Sequence, residues 1–288
     1  MKIHRLLPHR RSARIGVLAA FAATLAAVAL LPLGCMPAVR STESEMAAIH
    51  RASLTLTAPP QHTVSYRTVA NPNARRIIFV HGSPGDWKAW ADYLVEPPGA
   101  FDLIAIDRPG YGESGKAPVT SYAEQARAIE PFLINQGGGW PILVGHSLGG
   151  PIVARAAADY PDRVGGLLIL AGSLDPTCES PRWYTRIFAS RLTRWVLPGP
   201  LKQSNLEMLA SLTETQLLAP LLERITCPVI VVHGAKDNLV PAGNLNYQQR
   251  MLKNGRSTEF IMLPKHGHFI PWEQEPLVRE LISKLATN

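Results

Sequence analysis

Short runs of Val, Ile and Leu recur along the chain, bounded by Gly, Pro or Asp and separated by stretches with helical spacing. RRIIFV, FDLIAI, WPILV, GGLLIL, CPVIVV and STEFIML show no polar alternation, so each predicts a strand covered on both faces. Between them lie DWKAWADYLV, TSYAEQARAIEPFLIN, IVARAAADYPDRV, LNYQQRML and PLVRELISKL, which predict helices. In the second, Ala126, Ile129 and Leu133 share one helical face. Strand and helix alternate, which predicts an α/β domain with a doubly wound, mostly parallel sheet. From Leu54 onward, LTLTAPP and HTVSYRTV predict two strands in a hairpin-like opening.

The alternation breaks at residues 176–225. Pro176, Pro181, Pro198, Pro200 and Pro220 punctuate this stretch, with Trp183, Tyr184, Phe188 and Trp195 between them. It predicts a small helical cap inserted above the strand ends. Trp183, Phe188, Trp195 and Leu197 either line an acyl pocket or form the cap's own small core.

The N-terminus differs from the rest. Residues 1–14 are basic, and Ile15 to Leu33 is an uncharged apolar run of about 19 residues. A basic segment followed by an apolar one is an export signal, and this one is just long enough to stay in a membrane as an anchor. The run ends at Gly34-Cys35, which resembles the lipobox of bacterial lipoproteins, with Pro32 where that motif usually places Leu. The resemblance implies cleavage before Cys35 and lipid on its sulfur. An uncleaved anchor and simple secretion, to the periplasm or the cell exterior, are the alternatives. Residues 35–53 are polar and Ala-rich and read as a tether, leaving 54–288 for the α/β domain.

Charge changes the picture little. The net charge is +7, but Lys2, Arg5, Arg10, Arg11 and Arg14 carry five of those charges, leaving +2 beyond the leader. No basic stripe with interleaved aromatics remains, so nucleic acid is not an expected partner. Hydrophobic residues make up 46% and charged residues 18%, the balance of a globular domain. Cys35, Cys178 and Cys227 have no metal-ligand spacing, and sequence leaves open whether Cys178 and Cys227 pair. No G-x-x-x-x-G-K and no H-E-x-x-H occurs, so no cofactor or metal is implied.

The candidate chemistry sits at the strand ends. Gly145-His146-Ser147-Leu148-Gly149 fits G-x-S-x-G, directly after the strand PILV and before the helix GPIVARAAADY. That is the setting of a nucleophile elbow, a turn so sharp that only glycines fit where strand and helix approach. Ser147 would then project its hydroxyl from the turn. His81-Gly82-Ser83-Pro84-Gly85 follows RRIIFV and offers backbone N–H groups for an oxyanion. Pro84 has no N–H, so Ser83 is the candidate donor there, with Leu148 as the second.

HGSPG, DRPGYGES, GHSLGG, VVHGAKDNLVP and KHGHF stand in the order and spacing of the α/β-hydrolase superfamily, which the chain resembles over about residues 60–175 and 226–286. The resemblance implies that fold and a serine hydrolase with the chain order nucleophile, acid, base. Ser147 is then the nucleophile, Asp237 the acid and His268 the base. Asp175 and His266 are lesser candidates for the last two roles. Asp107 and Arg108 belong to a structural loop of the family. The cap matches no subfamily, so the substrate stays open. Hydrolysis of a carboxylic ester, on a small-molecule or lipid substrate, is the leading expectation. The alternatives are an amide or peptide hydrolase resembling proline iminopeptidases, a membrane-surface lipase with the cap as lid, and a non-catalytic binding protein on the same fold.

Overall fold

The computed structural model describes residues 39–57, 60–181, 183–190 and 197–287. The leader, Cys35 and Trp195 lie outside them. Eight strands form one sheet in the order β1-β2-β4-β3-β5-β6-β7-β8. They are β1 (His50–Thr55), β2 (Thr63–Val69), β3 (Arg76–Val80), β4 (Asp102–Ile106), β5 (Ile142–His146), β6 (Gly166–Leu170), β7 (Val229–Gly234) and β8 (Thr258–Leu263). β1 pairs with β2, and β2 with β4, antiparallel; every other pairing is parallel. This is the doubly wound α/β-hydrolase fold, with a helical insertion between β6 and β7.

The continuous apolar strands follow from burial on both faces. In β3, Ile78 and Val80 enter one core while Ile77 and Phe79 enter the other. β7 divides in the same way, with Val229 and Val231 on the first side and Ile230 and Val232 on the second. The helices in chain order are α1 (Glu43–Ala48), α2 (Ala91–Val95), α3 (Tyr122–Arg127), α4 (Gly149–Asp159), α5 (Trp183–Ala189), α6 (Gly199–Leu218), α7 (Gly243–Met251), α8 (Ile270–Glu273) and α9 (Glu275–Thr287). α9 buries Val278, Leu281, Ile282 and Leu285 against the second core, at the spacing of one helical face. Each such side chain, fully buried, contributes about 1.5–3 kcal/mol.

Two expectations differ from what forms. The helix predicted over TSYAEQARAIEPFLIN is broken: α3 ends at Arg127 and a 3-10 turn covers Glu130–Phe132. Pro131 has no N–H to continue the helical ladder. The segment read as a tether is instead ordered on the domain from Val39 onward. Thr42 and Glu45 form a capping box that starts α1, and β1 begins at His50. Asp92 accepts hydrogen bonds from the Arg40 and Ser41 N–H groups, at 3.1 and 2.8 Å, and Val39, Met46 and Ile49 pack on the second core. In the insertion, α6 runs for 20 residues and buries Gln203, Glu207, Ser211 and Thr215, a polar stripe spaced at every fourth position. Among the described residues, no helix is long and apolar enough to cross a membrane.

Candidate active site

Four C-terminal strand ends converge, as ligand sites in parallel sheets do. β5 runs into Ser147, whose φ of 56° is rare for a residue with a Cβ. The Ser147 N–H donates to the Leu170 carbonyl at 2.9 Å, at the end of the neighbouring strand β6. The close approach explains the flanking glycines. A Cβ on Gly145 would stand 2.5 Å from the Gly149 carbonyl oxygen, and one on Gly149 would stand 2.3 Å from that of Val80. Ser147 is therefore held above the strand ends in a strained conformation that the packing around it enforces.

Asp237 lies in the turn after β7. Its Oδ1 accepts the N–H groups of Leu239 and Val240, both at 2.8 Å, and this fixes the carboxylate. Its Oδ2 faces His268 Nδ1 at 2.7 Å, in the loop after β8. Burial raises the Asp237 carboxyl, but the hydrogen bond and charge of His268 outweigh it, and the net shift is downward. Asp175 is elsewhere: it accepts from the Thr177 N–H and hydroxyl at 2.9 and 2.7 Å. His266 Nδ1 stands 3.4 Å from Glu273, on the surface. The His268 carbonyl accepts from His146 Nε2 at 2.9 Å, so the histidine beside Ser147 also anchors the His268 loop. Burial, and next the nearby His268, push His146 down to about 3, so this imidazole is neutral. Among the described hydrogen bonds, none joins Ser147 Oγ to the His268 ring, although both line one cavity. Such contacts are often long before substrate binds.

The loop after β3 forms the opposite wall. His81 Nε2 accepts the Arg108 N–H at 3.1 Å, so Nδ1 carries the proton and donates to the Gly82 carbonyl at 2.8 Å. Burial, then the Arg108 charge, hold His81 well below its ordinary range. The Arg108 guanidinium also donates to the Gly82 carbonyl at 2.8 Å and pairs with Glu207 of α6 at 2.7 Å, both side chains fully buried. Burial works against the Arg108 charge, but Glu207 outweighs it and the net shift is upward. Ser83 Oγ and Tyr111 OH each donate to Glu207 Oε2 at 2.6 Å. Among the described residues, neither the Ser83 nor the Leu148 N–H donates to another protein group. Leu148 is also the N-cap of α4, where backbone N–H groups attract negative charge.

Ser83, Ser147, Leu148 and His268 share a cavity of about 280 Å³ beneath the insertion. Phe188, Leu197, Leu201, Met208, Phe269 and Trp272 make most of its wall apolar. Of the aromatics singled out in the insertion, Phe188 lines the cavity and Trp183 is exposed. Glu179 also lines it, and burial raises its carboxyl. Among the described lining residues there is no Lys or Arg. Cys178 and Cys227 are both free thiols. Glu207 and His146 are site residues that sequence reasoning passed over. The signal for Glu207 was the spacing Gln203, Glu207, Ser211, Thr215.

Several known proteins are similar to this chain. Residues 75–195 match the family described as alpha/beta hydrolase fold, and residues 141–282 match the prolyl oligopeptidase family. A 2-hydroxy-6-oxononadienedioate/2-hydroxy-6-oxononatrienedioate hydrolase of Paraburkholderia phymatum is 25% identical over 72% of this chain and 85% of its own. A pimeloyl-(acyl-carrier protein) methyl ester esterase of Nitrosomonas europaea is 24% identical over 68% of this chain and 89% of its own. A thermophilic esterase from Thermogutta terrifontis superposes with a TM-score of 0.60 at 22% identity, over 82% of this chain and 97% of its own, a likeness of fold. Together the fold and these relatives support a hydrolase of the α/β-hydrolase superfamily.

Proposed function

We propose that the protein is a serine hydrolase that cleaves a carboxylic ester through an acyl-enzyme. The observation that carries this reading is the 2.7 Å Asp237–His268 pair, whose imidazole shares a cavity with a serine held at positive φ. Asp237 orients His268 with Nδ1 protonated, leaving Nε2 free to accept the Ser147 proton. Ser147 Oγ then attacks the ester carbonyl, and the N–H groups of Ser83 and Leu148 receive the oxyanion. Collapse expels the alcohol, which takes its proton from His268. Water, deprotonated by the same imidazole, then releases the acid and restores Ser147.

The substrate class follows from the wall. A cavity whose described wall is mostly apolar suits an ester with an apolar acyl or alkyl group. A second reading, amide or peptide hydrolysis, is favoured by the match of residues 141–282 to the prolyl oligopeptidase family. A panel of p-nitrophenyl esters and aminoacyl amides separates them. Turnover of the esters at higher kcat/KM than the amides supports the first reading, and the reverse order overturns it.

We further propose export and membrane attachment through lipid on Cys35. Only residues 36–38 separate Cys35 from the docked Val39, a reach of about 14 Å at most. A lipid there would hold the domain directly against the bilayer. Mass spectrometry of the mature N-terminus tests this, and an intact Met1 or a start beyond Cys35 contradicts it.

A further inference from the structure

Glu207 belongs to the insertion, yet four of the five groups it meets lie outside it: Ser83, Tyr111, Arg108 and Gln125, with Gln203 of its own helix the fifth. Its Oε2 receives Ser83 Oγ and Tyr111 OH, each at 2.6 Å. Its Oε1 receives Arg108, Gln125 and Gln203 at 2.7, 2.9 and 3.2 Å. The carboxylate is fully buried and fully partnered. A group of this kind is costly to bury unless every partner is in place, so the arrangement is held as a unit.

We propose that Glu207 is a positioning residue for the oxyanion hole, acting through Arg108 and Ser83. This inference rests on the reading of Ser147 as nucleophile and of the Ser83 N–H as an oxyanion donor. The path is geometric. A trans peptide is planar, so its C=O and N–H point in opposite directions. The Gly82 carbonyl is held from one side by Arg108, at 2.8 Å, and by His81 Nδ1, also at 2.8 Å. The N–H of the same peptide, that of Ser83, is thereby turned the other way, and among the described residues it meets no acceptor. Glu207 holds Arg108 by two contacts, 2.7 Å to NH1 and 3.3 Å to NH2, so the guanidinium cannot swing away from Gly82. The Ser83 hydroxyl bound to the same carboxylate fixes the other end of the residue.

The cap thus contributes more than a wall to the cavity. Its long helix locks the donor in line, and catalysis depends on the cap being seated. This also explains why α6 turns Gln203 and Glu207 inward: the surface it covers presents donors to Glu207 and the Val119 carbonyl to Gln203. Gln203 Nε2 reaches the Val119 carbonyl at 2.7 Å and Gln125 Nε2 reaches the same carbonyl at 3.0 Å, closing the network around Glu207.

The test uses the full chain and an activated ester. Glu207→Gln keeps the shape and removes the charge. It is expected to lose about 10- to 100-fold in kcat with KM within about threefold of wild type, since an oxyanion donor acts in the transition state. A boronic acid, whose tetrahedral adduct on Ser147 places an oxygen in the same hole, should bind more weakly by a similar factor. Ser83→Ala removes one tie to Glu207 and keeps the peptide N–H. It should lose about three- to tenfold in kcat, with boronate affinity falling in step. If Glu207→Gln does not fold, Ser83→Ala decides alone. Wild-type kcat and boronate affinity in the folded variants, or a change confined to KM, overturns the proposal. Ser147→Ala is the control: if it is inactive the nucleophile reading stands whatever Glu207 does, and if it is active both fall.

Discussion

His268 Nδ1 stands 2.7 Å from Asp237 Oδ2, while the other oxygen of the same carboxylate is occupied by two backbone N–H groups. One oxygen is thus spent on holding the turn and the other on orienting the imidazole. Removing the charge while keeping the shape should spare the turn and disable the base. Asp237→Asn is expected to lose on the order of 10³–10⁴ in kcat. Asp175→Asn should stay within about tenfold, because Asp175 serves Thr177 rather than His268. Circular dichroism serves as the folding control, and an inactive Asp175→Asn beside an active Asp237→Asn would require the site to be redrawn.

The two histidines of the KHGHF segment make a similar pair. His266 reaches only Glu273 on the surface, and His268 faces Asp237 inside the cavity. His268→Gln should cost at least as much as Asp237→Asn. His266→Gln should stay within about tenfold of wild type on the same ester.

Much of this site was legible in the chain because its glycines and strands have one reading each. The runs IIFV and VIVV are apolar at every position because helices cover both faces of the sheet. Gly145 and Gly149 mark a turn that admits no Cβ, which singles out Ser147 between them. α6 was illegible for the opposite reason. Its buried face is polar, so hydrophobic periodicity has nothing to follow. The ordered segment before β1 was hidden by its short helix, although Thr42 and Glu45 already spell a capping box. Arg108 follows β4 in a loop the motif DRPGYGES already marks, but its partner lies 99 residues away on the cap, a pairing no local pattern shows.

Acid should unfold the domain through its buried histidines. His81, His146 and His233 are all shifted down, first by burial, and His146 lies at about 3. In the unfolded chain these imidazoles take protons below about pH 6.5, while in the folded domain they stay neutral. The unfolded state then binds more protons, so stability falls as pH drops from about 6.5 towards 3. Each group contributes a slope of up to about 1.4 kcal/mol per pH unit in that window. Asp237, also shifted down, adds to the loss only below the ordinary carboxylate range. Tm measured from pH 7 to pH 4 should decline steadily, and a flat profile would show that these rings are protonated in the folded state.

The elbow should tolerate no side chain at Gly149. A methyl group there would meet the Val80 and His81 carbonyl oxygens at 2.3 and 2.8 Å, and both belong to backbone that cannot rotate aside. Gly149→Ala is expected to cost about 1–3 kcal/mol or more in urea unfolding and to displace Ser147. Its kcat should fall with its stability; unchanged values for both would mean that strand and helix are farther apart than described.

The most direct measurement is labelling of the intact protein with a fluorophosphonate, followed by peptide mass spectrometry. The account predicts one adduct, on Ser147, absent in Ser147→Ala, with ester hydrolysis lost in the same variant while its fold is kept. An adduct on another residue, or a Ser147→Ala protein retaining more than about a tenth of the wild-type rate, would contradict it.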